Sequence, residues 1–138
     1  MLYTPRKTHH ADMVKGVLLV DDNRLMRQAL CRLFRAEPEF EVYGEAEHGL
    51  EAVEKAEKLK LHLVILDLSM PVMNGLEAAP HILKKVPTVF IILFTQYAVE
   101  AMEVPARKAG IHAVVHKAQA TTHLIPTARA LFDPHGLS

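Results

Sequence analysis

Cysteine is nearly absent, since Cys31 is the only one among 138 residues. It falls in a helix-like stretch beside Leu30, Leu33 and Phe34, so no disulfide framework exists, the thiol is expected to be buried, and a reducing cytoplasm fits. Net charge is absent as well. Lys plus Arg and Asp plus Glu both number 16, which removes the basic excess that would propose a nucleic acid or an anionic membrane as the main partner. No apolar run is long enough to span a bilayer, and Met1 to Lys15 lack the apolar centre of a secretion signal. Internal repeats and low-complexity segments are missing too. Half of the residues are hydrophobic, which suffices for one compact core and leaves little room for a second domain.

Residues 1–15, with Pro5, Arg6, Lys7 and the pair His9-His10, carry no periodicity and are expected to form a tail. The folded domain is expected over 16–133, followed by a short tail over 134–138. From Gly16 onward, β-rich runs alternate with amphipathic segments of helical length, the pattern of a parallel sheet covered by helices on both faces. Val17 to Val20, Leu63 to Leu66 and Val89 to Phe94 are continuous apolar runs, as strands buried on both faces require, and should be central. Phe40 to Tyr43 and Ile111 to His116 mix apolar with charged or histidine residues and should lie near the edges. Right-handed connections then give an α/β, doubly wound five-stranded sheet of order 2-1-3-4-5 with five helices.

Helical stripes run through Leu25, Met26, Ala29, Leu30, Leu33 and Phe34, then Ala52, Val53, Ala56 and Leu59, then Leu76, Ala79 and Leu83. Val99, Met102, Ala106 and Ala109, closed by Gly110, suggest a fourth helix; Leu124, Ile125, Ala128 and Leu131 suggest a fifth. Pro80, Pro105 and Pro126 fall inside these segments, so kinks or shifted boundaries are expected, with Thr121 or Thr122 capping the last helix ahead of Pro126.

In a doubly wound sheet, ligands gather beyond the carboxyl ends of the strands. There the chain carries Asp21-Asp22 after strand one, Asp67 after strand three, Thr95 after strand four and Lys117 after strand five. Three gathered carboxylates repel one another unless a cation joins them, and an all-oxygen set favours a hard ion such as Mg²⁺. Lys117 adds a mobile positive charge and Thr95 a hydroxyl donor for phosphate oxygens, so the set matches phosphoryl transfer to Asp67 as nucleophile. Taken singly, Asp21 and Asp22 could cap a helix, Asp67 could start a turn and Lys117 could be a surface lysine. Their coincidence at four strand ends, with Met70-Pro71 and Asn74-Gly75 after Asp67, favours the functional reading.

The motifs Leu19-Val20-Asp21-Asp22, Leu66-Asp67-Leu68-Ser69-Met70-Pro71-Val72-Met73-Asn74-Gly75, Phe94-Thr95 and His116-Lys117 resemble the receiver domain of two-component response regulators. The resemblance runs from Gly16 to about Phe132 and implies a flavodoxin-like fold. It implies that Asp67 is the phospho-acceptor in a Mg²⁺-dependent reaction with a histidine kinase or phosphotransfer protein. Asp22 would be a direct metal ligand, Asp21 a largely water-mediated one and the Ser69 backbone carbonyl a third contact, while Thr95 and Lys117 bind the phosphoryl group. The stretch from Ala36 to Ala46 is similar to the branch often fused to a C-terminal helix-turn-helix domain, for which these 138 residues leave no room.

Three departures stand out. Val114 occupies the place of the usual aromatic switch residue; Gln96 and then Tyr97 follow Thr95 where a small residue is usual; and Ala118 replaces the proline that commonly follows the lysine, so a cis bond there is not expected. Of the nine histidines, His62, His81, His112, His116 and His123 share no zinc-type spacing, and most should be surface or half-buried; His9-His10 could bind a metal weakly, but a solvated tail is the expectation. His112, Val114 and His116 are expected on one side of strand five, beside helices four and five. This face would bind a second copy or an output domain, with Tyr97, Val99 and Met102 as contacts. Two other readings compete: a receiver-like binding module without phosphorylation, and a small Mg²⁺-dependent aspartyl phosphatase. The latter commonly needs an acid/base Asp where this chain has Ser69.

Overall fold

The computed structural model describes residues 13–136, so the expectations for residues 1–12, including His9-His10, lie outside the described residues. Five parallel strands, β1 (Lys15–Val20), β2 (Phe40–Ala46), β3 (Leu63–Asp67), β4 (Phe90–Thr95) and β5 (Ala113–His116), form one sheet of order β2-β1-β3-β4-β5. The helices α1 (Arg24–Arg35), α2 (Gly49–Lys58), α3 (Gly75–Lys85), α4 (Val99–Lys108) and α5 (Ile125–Phe132) connect and cover it. The doubly wound fold read from the alternation is therefore present, with β1, β3 and β4 central and buried.

Two apolar layers sandwich the sheet. One joins Leu18, Val20, Val64, Leu66, Ile91 and Leu93 to Ala52 and Ala56 of α2, Ala79 and Ile82 of α3, and Met102 and Ala106 of α4. The other joins Val17, Leu19, Ile65, Ile92 and Phe94 to Leu30, Cys31 and Phe34 of α1 and to Ile125 and Ala128 of α5. Alternate residues of a strand point to opposite faces, so these runs must be apolar throughout. Cys31 is buried as expected, and burial is the main cause that raises its thiol above the ordinary pKa.

Several local expectations change. The buried stripe of α1 is Arg27, Leu30, Cys31 and Phe34, an i, i+3, i+4, i+7 set, and Leu25 is 74% exposed. Pro80 and Pro105 stay inside α3 and α4 and shift neither boundary. Neither Thr121 nor Thr122 caps α5: a 3₁₀ turn (Lys117–Gln119) and a π turn (Ala120–Leu124) lead into it, and Pro126 is its second residue. The missing N–H of Pro126 thus falls in the first turn, where it lacks a helical partner anyway. Gly110 follows α4 with φ +85°, a left-handed position that any Cβ would strain.

Candidate functional site

Because the strands are parallel, their carboxyl ends share one rim, and the pairing Val20↔Leu66 and Thr95↔His116 sets the residues beyond them at one level. Asp21 and Asp22 leave β1, Asp67 and Thr95 end β3 and β4, and Lys117 follows β5. Ligand oxygens of Asp21, Asp22 and Asp67 all lie within 4.8 Å of one another. Asp21, Asp67 and Thr95 are buried, whereas Asp22 is exposed at the mouth.

Lys117 Nζ lies 3.0 Å from Asp21 Oδ2 and 3.2 Å from Asp67 Oδ1, joining the carboxylates as an ion-pair bridge. Burial, and then the Asp21 charge, push the Asp67 carboxyl up from 3.8 to about 6, against the Lys117 ammonium and the Ser69 N–H. Burial pulls the Lys117 pKa down, but pairing with Asp21 and Asp67 outweighs it and the net shift is upward. Asp21 Oδ1 accepts the Asn23 N–H at 2.9 Å, while buried Oδ2 lies beside Lys117 without a well-directed hydrogen bond. This set of hard oxygens, with one carboxylate oxygen unsatisfied, fits a divalent cation such as Mg²⁺.

The Thr95 hydroxyl oxygen accepts the Tyr97 N–H at 3.0 Å. Exposed Ser69 and Tyr97 line, with Asp22, Leu68, Met70, Asn74 and Met102, a cavity of about 570 Å³ beside the carboxylates. Gln96 is exposed. The β3–α3 loop that forms one wall is tightly held: the Gly75 N–H donates to the Leu68 carbonyl and a Cβ at Gly75 would stand 2.3 Å from the Asp67 carbonyl oxygen. Within it, Val72 has φ +71° and the Met73 N–H donates to the Pro71 carbonyl, closing a γ-turn around a β-branched residue.

Two expectations for the β5 side need correction. Val114 is half-buried and joins the α2–α3–α4 layer, but the His112 ring meets Phe90 edge-on at 5.1 Å, and Phe90 belongs to the other layer; His112, just before β5, leaves the strand alternation yet still borders the α4–β5 groove with Val114. Met102 is 8% exposed and part of the core, so beyond its edge on the cavity it offers little contact surface, in contrast to Tyr97 at 57%. His116 Nδ1 accepts the Ala118 N–H at 3.0 Å, and every peptide bond among the described residues is trans. A proline at 118 would lack that donor. Sequence reasoning missed Arg27, whose guanidinium donates to the Asp21 carbonyl at 2.7 Å. Its signal was a charge at the head of the stripe continued by Leu30, Cys31 and Phe34.

The profile of the response regulator receiver domain matches residues 17–129. The chain belongs to that family. It is 46% identical over 87 residues to a protein-glutamate methylesterase/protein-glutamine glutaminase of Pyrococcus abyssi, covering 62% of this chain and 24% of that protein. It is 43% identical over 98 residues to the chemotaxis protein CheY of Thermotoga maritima, covering 71% and 81% of the two chains. The crystal structure of the response regulator domain of Thermotoga maritima CheB matches with a TM-score of 0.81 at 31% identity, over 87% of this chain and 97% of that one. The chain thus spans about a quarter of the length of the methylesterase relative. It is a response regulator receiver, a signalling switch of a family that typically accepts phosphoryl groups, binds Mg²⁺ at an acidic pocket and works with kinases or phosphotransfer proteins and output domains. Among the described residues, no helix is long and apolar enough to cross a membrane.

Proposed function

We propose that Asp67 is the phospho-acceptor of this receiver, that Asp21, Asp22, Asp67 and the Ser69 carbonyl hold Mg²⁺, and that Thr95 and Lys117 bind the phosphoryl group. The observation that carries this reading is Lys117 Nζ between Asp21 and Asp67, in a cluster of three carboxylates. An Asp67 carboxyl near 6 is largely ionised at pH 7, so one of its oxygens is free to attack phosphorus. The new P–O bond forms as the bond to the donor's leaving group breaks, and the leaving group departs with its electron pair and takes up a proton. Bound Mg²⁺ would neutralise charge on the phosphoryl oxygens. Lys117 would leave Asp21 for one of those oxygens, and the Thr95 hydroxyl, which uses a lone pair toward Tyr97, still has its proton to donate to another. Water attacking phosphorus would later restore the carboxylate, with Gln96 and Tyr97 setting its access. Residues 16–133 form the receiver unit, and we place it in the cytoplasm beside a histidine kinase or phosphotransfer protein.

The test is chemical. Acetyl phosphate with Mg²⁺ should add one phosphoryl mass to the intact chain and none to Asp67→Asn; undiminished labelling of that variant overturns the assignment. Output is proposed through the surface beside α4, β5 and α5, where Val99, Glu103, Arg107 and Val114 line a groove. With Val114 in place of the aromatic reporter, the Thr95–Tyr97 contact is left to carry the change outward. Sedimentation with and without beryllofluoride checks phosphorylation-driven dimerisation, which an unchanged association state would refute.

A further inference from the structure

Arg27 is the only buried charged residue of α1, at 8% exposure, and nothing in the phosphoryl chemistry above uses it. Burying a guanidinium is costly unless every part of it is paired, and an apolar residue would fill the same stripe beside Leu30 and Cys31 without that cost. Its purpose must therefore lie in what the fork holds. Nη1 donates to the Asp21 carbonyl at 2.7 Å, Nε donates to Glu45 Oε1 at 2.9 Å, and Nη2 lies 3.6 Å from Glu47 Oε1. The Arg27 backbone N–H also donates to the Asn23 carbonyl at 3.1 Å, so both ends of the residue tie down the turn between β1 and α1.

The consequence falls on Asp21. Its N–H donates to the Ala46 carbonyl at 3.0 Å, its carbonyl accepts from Arg27, and its Oδ1 accepts the Asn23 N–H. Only Oδ2, beside Lys117, is left without a directed hydrogen bond. Glu45 and Glu47, at the end of β2 and just beyond it, hold the other two nitrogens of the fork, at 2.9 and 3.6 Å.

We infer that Arg27 is a positioning residue for the acidic pocket: by clamping the Asp21 carbonyl against Glu45, it fixes the turn that presents Asp21 Oδ2 and the Asp22 carboxylate to a divalent cation. This rests on the reading of the pocket as a metal-dependent phosphoryl acceptor. Partners standing behind metal ligands set affinity by holding those ligands in place, and Arg27 does so through the backbone.

The experiment is Mg²⁺ titration by calorimetry on the full chain, at a temperature where circular dichroism shows each variant folded. Arg27→Met keeps the stem and removes the donors; its Kd for Mg²⁺ is expected to rise about 10- to 100-fold. Glu45→Gln keeps an acceptor for the fork and is expected to change Kd by less than about threefold. Should Arg27→Met fail to fold, Arg27→Met combined with Glu45→Gln removes the unpaired charge as well, and it is expected to bind Mg²⁺ as weakly because the Asp21 carbonyl is still unheld. A purely structural Arg27 would lower Tm and leave Kd in the folded protein unchanged; that result in either Met variant overturns the inference. Failure of the unsubstituted chain both to bind Mg²⁺ and to label with acetyl phosphate overturns the underlying reading instead.

Discussion

At the amino end of the sheet, two histidines close backbone pairing that the strands leave open. The His62 N–H donates to the Gly16 carbonyl while its Nδ1 accepts the Gly16 N–H, both at 2.9 Å. His112 repeats the arrangement on Ile91, at 2.9 and 3.0 Å. At the carboxyl end of the same strands, Asp21 Oδ2 is buried without a directed hydrogen bond and Asp67 is held where its charge is disfavoured. One end satisfies its polar groups within the chain. The other crowds carboxylates around the Lys117 ammonium and leaves one buried oxygen without a directed hydrogen bond, which suits it to bind a cation and a phosphoryl group.

The contrast can be broken most severely at Lys117, the one cation among the described residues that bridges the carboxylates. Lys117→Ala should slow acetyl phosphate labelling by roughly 10²-fold, the usual scale for losing one preorganised electrostatic group at a reacting centre. A rate within threefold of the unsubstituted chain would remove Lys117 from the chemistry.

Thermal melts across pH, run in chelator, would sharpen it next. Asp67 has a folded pKa raised from 3.8 to about 6, so its contribution to stability is full below the unfolded value and is lost as pH rises through about 6. Asp67→Asn should therefore be more stable than the parent at pH 7.5 by on the order of 2 kcal/mol, roughly 5–10 °C in Tm, and the gain should vanish toward pH 4. His112 works the other way. Burial lowers its pKa, so the stability it contributes is present above the ordinary histidine value and is lost as pH falls below it, when Nδ1 gains a proton and can no longer accept the Ile91 N–H. His112→Phe should cost about 1 kcal/mol at pH 7.5 and flatten the acid side of the profile, with no change in Mg²⁺ affinity. Melts in which both substitutions bend the profile in the same direction would contradict the contrast.

The smallest effect concerns the loop that walls the pocket. Val72→Asn, which tolerates positive φ better than a β-branched residue, should raise the urea midpoint by the equivalent of about 0.5–1 kcal/mol. A destabilised Val72→Asn would mean that the valine side chain makes a contact outweighing the strain.

The central strands were legible because burial on both faces leaves no polar position, so Val17 to Val20 and Leu63 to Leu66 have one reading. The rim was legible for the same reason reversed: Asp21, Asp67, Thr95 and Lys117 stand where each strand abruptly turns polar. Periodicity misled in α1, where it placed Leu25 on the buried stripe and passed over Arg27, whose burial depends on Glu45 from β2, a partner 18 residues away. It also could not show that 3₁₀ and π turns would carry the chain from Lys117 to Leu124 and so into α5. His112 illustrates the same limit, because strand alternation stops where β5 begins at Ala113.

At the carboxyl end of the sheet, the crowded carboxylates and Lys117 are proposed to direct a phosphoryl group to Asp67. After reaction with acetyl phosphate and Mg²⁺, borohydride reduction followed by peptide mass spectrometry marks the acylated carboxylate directly. Homoserine at position 67 alone is the expected product. Reduction at Asp21 or Asp22, or a labelled chain with Asp67 unreduced, would contradict it.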